Sequence, residues 1–403
     1  MLNSVPTRSK GMFLNWLGLA VAGLTVAGCA TKPAGTASTA KKDYLVYVGT
    51  NVASEQENTI YLYRLNPSTG ALTAVTALKG GAQPTYLTMD AAHRNLYAVS
   101  ETQSFKGTAN TGGVSAFAVD PRTAGLTMLD QQPSLGASPC YISLDRSEKN
   151  VLVANYSSGT VSLLPRQADG QVGAPTDSDQ HQPPNGPHRN QDKPHAHCIT
   201  TDPANRYAFA VDLGTDKVYR YQLNPAQNKL GTPPTIAFTA KSGAGPRHLT
   251  FHPNGRWAYL ENELNSTVTA LTYNAKTGTF QEIQSLTTVP ASFTGENSGA
   301  DVHVSPDGRF VYTSNRGDNS LAVFAVEGGS GRLSLVQHVS TQGKTPRNFG
   351  LDPSGQVLLV ANQNSDNVFS YLVDKQTGKL TPTGQSVNVP SPMFVQIVPD
   401  FTK

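Results

Sequence analysis

A strand, a tight turn and a second strand recur along this chain, and that recurrence constrains its fold more than any other feature. The clearest copy begins at Pro246. Arg247 to Phe251 is short, apolar at alternate positions, and stops at Pro253-Asn254-Gly255, a turn signal. Trp257 to Asn262 is a second apolar run, and Glu263 opens a polar loop. If the two strands are antiparallel, Arg247 and Glu263 share one rim of the sheet. The equivalents of Pro246 are Pro84, Pro139, Ala196, Gly299, Pro346 and Pro392. Their spacing, roughly 45–60 residues, is that of propeller blades. Second strands follow at Leu96–Ser100, Val151–Asn155, Tyr207–Asp212, Phe310–Asn315 and Val357–Asn362, and third strands at Val218–Leu223, Val268–Tyr273, Leu321–Val326 and Val368–Val373.

This pattern predicts an all-β fold, a seven-bladed β-propeller of about four strands per blade. The last unit is incomplete, because Pro392 to Pro399 supplies one strand and little chain follows. Tyr44 to Asn51 has the form of its missing second strand. The ring is therefore expected to close by pairing of the N-terminal strand into the C-terminal blade, which covers edges that otherwise invite aggregation. Abundant Gly (36) and Pro (27) suit a chain of many turns, and the 403 residues are used as one domain at 43–403. The net charge of +3, with no basic stripe, excludes nucleic acid as a partner.

The N-terminus reads as an address. Arg8 and Lys10 precede an apolar run from about Met12 to Ala27, too short for a typical membrane span. The run ends in Leu24-Thr-Val-Ala-Gly-Cys29, small residues before a lone cysteine. The expectation is a lipoprotein signal peptide at 1–28, lipidation of Cys29, and a flexible tether at 29–42. A simple signal peptide cut nearby is the alternative. Either is expected to place the folded body outside the cytoplasm, in the periplasm or at the cell surface, and in the lipoprotein reading the N-terminal lipid is its membrane contact. Cys140 and Cys198 are expected as unpaired, partly buried thiols, although that compartment permits a disulfide. A monomer is expected. Pro165 to Pro194, polar and rich in Pro, Gly, Asn and Gln, reads as one long loop that overhangs the rim.

Two positions of the repeat carry the candidate chemistry. The Arg247 slot is filled around the ring by Thr85, Cys140, His197, Arg247, Ala300, Arg347 and Met393. The Glu263 slot holds Glu101, Tyr156, Leu213, Glu263, Arg316 and Gln363. His197, Arg247 with Glu263, Arg316 and Arg347 fall in consecutive units and would converge on the channel mouth. Arginine suits bidentate capture of a carboxylate or phosphate, and His and Glu are the usual acid–base residues. His195, Asp301 and Lys344 stand beside them as candidate substrate contacts. Each has a plainer reading: inter-blade salt bridges for the arginines, a simple Arg247–Glu263 pair, a solvated turn lysine for Lys344. His248, His252 and His303 read as satisfied inter-blade histidines. His195 and His197 with His188 nearby suggest a metal, but no CxxC or HExxH pattern supplies further ligands, so neither metal nor cofactor is assigned.

Pro194-His-Ala-His197, Gly245-Pro-Arg-His-Leu-Thr-Phe-His-Pro-Asn-Gly255, Asn262-Glu-Leu-Asn-Ser-Thr-Val268, His303-Val-Ser-Pro-Asp-Gly-Arg309, Ser314-Asn-Arg316 and Lys344-Thr-Pro-Arg-Asn-Phe349 together resemble the bacterial lactonase family of seven-bladed propellers. That family includes the 6-phosphogluconolactonases and the carboxy-muconate cyclases. The resemblance runs from about Tyr44 to the C-terminus. It implies hydrolysis of a sugar lactone at a metal-free site formed by His197, Arg247, Glu263 and Arg316. It leaves open a cycloisomerase acting on a carboxylated muconate. Val311-Tyr-Thr-Ser-Asn315 also resembles the repeat of surface-exposed propellers that bind without turnover. The export signal is a departure from the cytoplasmic 6-phosphogluconolactonases, and it brings an unphosphorylated aldonolactone into consideration.

Overall fold

The computed structural model describes residues 43–403, so the leader, Cys29 and the tether lie outside the described residues. Seven four-stranded antiparallel sheets follow one another. Blade 1 starts at Leu87–Met89, blade 2 at Pro139–Leu144, blade 3 at Ala196–Thr201, blade 4 at Pro246–Phe251, blade 5 at Ser298–Val304 and blade 6 at Pro346–Leu351. Blade 7 joins the two ends of the fold. Pro392–Pro399 is its inner strand, Tyr44–Thr50 lies beside it in register Tyr44↔Pro399 to Gly49↔Phe394, and Ile60–Leu65 and Leu72–Leu78 complete it. Each inner strand touches the inner strand of the next blade, and the circuit closes. This is the expected seven-bladed propeller with the expected closure.

The second strand of each blade is buried on both faces, which is why it reads as a nearly unbroken apolar run. The blades pack face to face through separate apolar clusters. One of these sets Phe209 and Tyr207 of blade 3 against Leu260, Tyr273 and Phe280 of blade 4. Tyrosines at one position of the second strand lock blade to blade. Tyr47, Tyr97, Tyr259 and Tyr312 are fully buried, and their hydroxyls donate to Ala124 O (2.8 Å), Gly170 O (3.0 Å), Gly331 O (3.2 Å) and Gly378 O (3.1 Å), in turns of the following blade. The turn aspartates have a local task. Asp202 Oδ1 accepts from the amides of Arg206 (2.6 Å) and Tyr207 (2.9 Å), fixing the first hairpin of its blade.

The stretch 165–194 departs from a single loop. Asp177–Gln180 is the outer strand of blade 2, paired to Thr160–Leu163. Its residues are polar because one face is solvated and the backbone ladder carries the pairing. Tyr221 of blade 3 donates to Asp179 Oδ2 at 2.8 Å. Only the segment after Gln180 runs as a connection across the mouth. It starts at His181, which is buried between Asp212 (2.6 Å) and Tyr221 (3.0 Å).

Candidate active site

The mouth of the channel is built by bulges. Pro246 pairs with Asn262 and His248 with Glu261, so Arg247 between them has no cross-strand partner. The same shift extrudes Cys140, His197 and Arg347, and in blade 5 Ala300 and Asp301. A bulge re-aims its extra side chain, and here the extra side chains are those of the slot read from the repeat. Thr85, Cys140, Arg247, Arg347 and Met393 line one small central cavity together with Glu101.

Glu263 joins the arginines. It sits in the turn after Asn262, where its amide donates to Gly245 O at 2.8 Å. Its Oε2 lies 2.7 Å from Arg316 Nη2 and 3.0 Å from Arg247 Nε. Arg316 Nη2 also donates to Gly299 O at 2.8 Å, and Arg247 Nη1 donates to Ala300 O. Adjacent carbonyls of blade 5 thus orient the two guanidiniums on either side of one carboxylate. Burial alone would raise Glu263, but Arg316, Arg247 and Arg347 outweigh it and hold it below the usual carboxylate range. Burial draws Arg316 down to about 10 against the pull of Glu263, and lowers Arg247 with help from Arg347. All three are charged at neutral pH.

Glu101 is the opposite case. It faces the same cavity from blade 1 and accepts from Thr85 Oγ1 at 2.5 Å. Burial raises it, and Arg347 and Arg247 only partly offset this. Glu101 and Glu263 thus flank Arg247 in opposite environments, one carboxyl pushed up by burial and the other held down by arginines. Glu101 occupies the Glu263 slot of its own blade, so the repeat carried its signal.

His197 is buried beside His248 (ring centroids 5.2 Å) and edge-on to Tyr156 (5.5 Å), and its Nδ1 has no partner. Burial, then Arg247, holds it well below an ordinary histidine, so it is neutral at physiological pH. His195 stacks on Tyr156 and spends its ring nitrogens on Tyr156 O and Asp192 Oδ1, each at 3.0 Å. Asp301 lies beneath the mouth as a hub for His248 Nδ1 (2.7 Å), His303 Nε2 (2.9 Å) and Asn348 Nδ2 (2.5 Å). Despite burial, the two histidines hold its carboxyl far below the usual range. Arg347 lines the central cavity, whereas Lys344 is exposed in the preceding turn. Among the described residues no group of three or more His, Cys, Asp or Glu is placed to hold a metal ion. Cys140 and Cys198 are free and buried.

Glu261 was not singled out from the sequence. It is fully buried in the second strand of blade 4, and neither carboxylate oxygen has a hydrogen-bond partner. At the same position the other blades carry Val99, Ala154, Val211, Ser314, Ala361 and Gly49. Burial pushes its pKa well above the usual range in spite of Arg247. Its Oε1 lies against Gly299, where an added Cβ would come within 2.1 Å of it. Gly299 stands where the other inner strands mostly have proline, and that exchange makes room for the acid.

Comparison with known proteins identifies the family. The family described as "Lactonase, 7-bladed beta-propeller" matches residues 45–397. The chain is 39% identical to the 6-phosphogluconolactonase of Bacillus subtilis over 355 residues, 88% of this chain and 98% of that one. It is 31% identical to a 6-phosphogluconolactonase of Formosa agariphila over 347 residues, 85% of this chain and 96% of that one. Among solved structures, the periplasmic gluconolactonase of Pseudomonas aeruginosa superposes with a TM-score of 0.82 at 34% identity, covering 88% of this chain and 99% of that one. Fold and sequence agree: the chain belongs to the lactonase family of seven-bladed β-propellers.

Proposed function

We propose that this protein hydrolyses a sugar lactone to its aldonic acid at the channel mouth. The observation that carries this reading is the Arg316–Glu263–Arg247 arrangement, an ionised carboxylate held between two guanidiniums at 2.7 and 3.0 Å. In this reading Glu263 removes a proton from a water that attacks the lactone carbonyl carbon. Arg247, Arg316 and Arg347 hold the oxygen that becomes negative. The carbonyl-to-ring-oxygen bond then breaks, and in this reading the ring oxygen takes its proton from Glu101, whose carboxyl burial pushes up. The water's proton on Glu263 returns through solvent to Glu101, and the new carboxylic acid ionises to solvent, so the cycle balances. His197, neutral and unpartnered at Nδ1, would supply a hydrogen bond to the substrate in place of the acid–base role open to it from the sequence.

The test is acid release from glucono-δ-lactone and its 6-phosphate above the spontaneous rate. Glu263→Gln is expected to lower kcat by about 10²–10⁴-fold in protein that still unfolds cooperatively, at a lower melting temperature because two guanidiniums lose their carboxylate. Full activity in that variant sinks the role given to Glu263. Location is part of the proposal. The lipobox-like Leu24–Cys29 stretch and the likeness to a periplasmic gluconolactonase both favour a body held outside the cytoplasm by a lipid on Cys29. Cys29→Ser should release the protein from the membrane fraction; retention there would refute the anchor.

A further inference from the structure

A cleft of about 390 Å³ opens beside the mouth. That volume lies within the range of roughly 300–1,000 Å³ common for small-ligand sites. Its lining includes Leu264 and Ser298, the chain neighbours of Glu263 and Gly299, so it begins one residue away from the carboxylate–guanidinium site along the chain. One wall is His188 to Asn190, in the segment that crosses the mouth, and the other is Phe293 to Asn297.

Both walls are fixed from behind. Gln191 is buried; its Nε2 donates to Leu213 O (2.8 Å) and Asp216 Oδ1 (2.7 Å), and its Oε1 accepts from the His188 amide (3.0 Å). The same Asp216 oxygen accepts from the Gly245 amide (2.8 Å) at the head of the strand that carries Arg247. The first wall and the site therefore share one anchor. On the second wall Asn297 Nδ2 donates to Ser266 Oγ (2.8 Å) and Asn315 Oδ1 (3.0 Å).

The lining carries one phenyl ring, one imidazole, two asparagine amides beside Asn190 and a single pair of opposite charges. Phe293 is partly exposed within it. His188 Nδ1 accepts from the Asn190 amide at 3.1 Å, which leaves Nε2–H as a donor. Asn265 Oδ1 accepts from Thr267 Oγ1 at 2.7 Å, which leaves its NH₂ free to donate. Arg189 and Glu296 face each other across the walls at 3.7 Å, both largely exposed, so the two charges of the cleft are of opposite sign. A phosphate calls for uncommitted cations or several aligned donors, and this cleft offers one arginine already facing a carboxylate. An aromatic face bordered by amides suits instead a ring with one apolar C–H face and a rim of hydroxyls.

We propose that this cleft is a second sugar subsite, and that the lactone taken is an aldonolactone bearing a neutral glycosyl substituent. The lactone ring would lie at Glu263 and the glycosyl ring against Phe293. This rests on the lactonase reading, so its test has a binding arm and a turnover arm. Cellobionate and gluconate are titrated calorimetrically into the intact protein and into Phe293→Ala. Glucono-δ-lactone, its 6-phosphate and cellobiono-δ-lactone are then compared as substrates. Cellobionate should bind more tightly than gluconate. Phe293→Ala should weaken cellobionate binding, and raise KM for the disaccharide lactone, by about ten-fold, with kcat and the rate on glucono-δ-lactone unchanged. Cellobionate binding that depends on Phe293, with no lactone turned over, would uphold the subsite and overturn the hydrolysis. Equal binding of both acids, indifference to Phe293, or preference for the 6-phosphate would overturn the subsite whatever the activity.

Discussion

Glu261→Gln replaces a buried carboxyl with a neutral group of the same shape, and its effect on stability should depend on pH in a calculable way. The wild-type carboxyl is fully buried without a hydrogen-bond partner, and its folded pKa lies well above the ordinary value of 4.5. A group of this kind binds its proton more tightly in the folded state. Its contribution to stability is therefore complete below the unfolded pKa and is lost as pH rises toward the folded value. The loss is about 1.4 kcal/mol per pH unit across that window. Glutamine does not titrate, so the variant should gain on the wild type by that slope from about pH 5 upward. For a body of roughly 360 residues this is about 2 °C in melting temperature per pH unit. Any constant offset from placing an amide there would not change the slope. Calorimetric or fluorescence melts of both proteins at half-unit steps from pH 4.5 to 8 measure it. A difference in melting temperature that stays flat over this range would mean that Glu261 is ionised in the fold, and the reasoning from burial would be wrong.

Three further outcomes follow from named contacts. Gly299→Ala should cost about 1–3 kcal/mol by overpacking, because its Cβ would meet Glu261 Oε1; Glu261→Ala in the same chain should recover part of this, and simple additivity in urea midpoints would refute the contact as the cause. Tyr259→Phe removes the hydroxyl that donates to Gly331 O, and should cost about 1–3 kcal/mol by leaving a buried carbonyl unpaired; a smaller loss in chemical denaturation would place a water there. Burial raises the thiols of Cys198, to about 12, and of Cys140, so a thiol reagent at pH 8 should label neither until the chain is denatured; rapid labelling of their peptides in the native protein, read by mass spectrometry, would contradict that burial.

The inner half of each blade was legible in the sequence because it is buried. Trp257–Asn262 and Val357–Asn362 are enclosed on both faces, and enclosure leaves an apolar signature. The outer strands are half-solvated. Asp177–Gln180 carries no apolar residue and is specified by its backbone ladder and one tyrosine hydroxyl, so it read as loop. At the mouth, comparison of slots located Arg247, Glu263 and Arg316, because bulges keep the same register in most blades. Glu101 stood in one of those slots and was passed over, since its significance comes from the arginines across the cavity and not from its own neighbours. Glu261 looked like an ordinary strand residue. Only its alignment with Val99, Ala154, Val211 and Ala361 exposes it as the lone acid at that level of the ring.

The join in blade 7 sets a clock on biosynthesis. Tyr44–Thr50 can pair with Pro392–Pro399 only after nearly all the intervening chain has been made. At about 5–20 residues per second, the first strand waits roughly 20–70 s for its partner. During that wait the nascent chain offers a sticky, unpaired margin at its early end and an unfinished one at its growing end. The cell must hold the early strand open until the last one arrives, so slowing synthesis late in the message should harm this protein more than slowing it early.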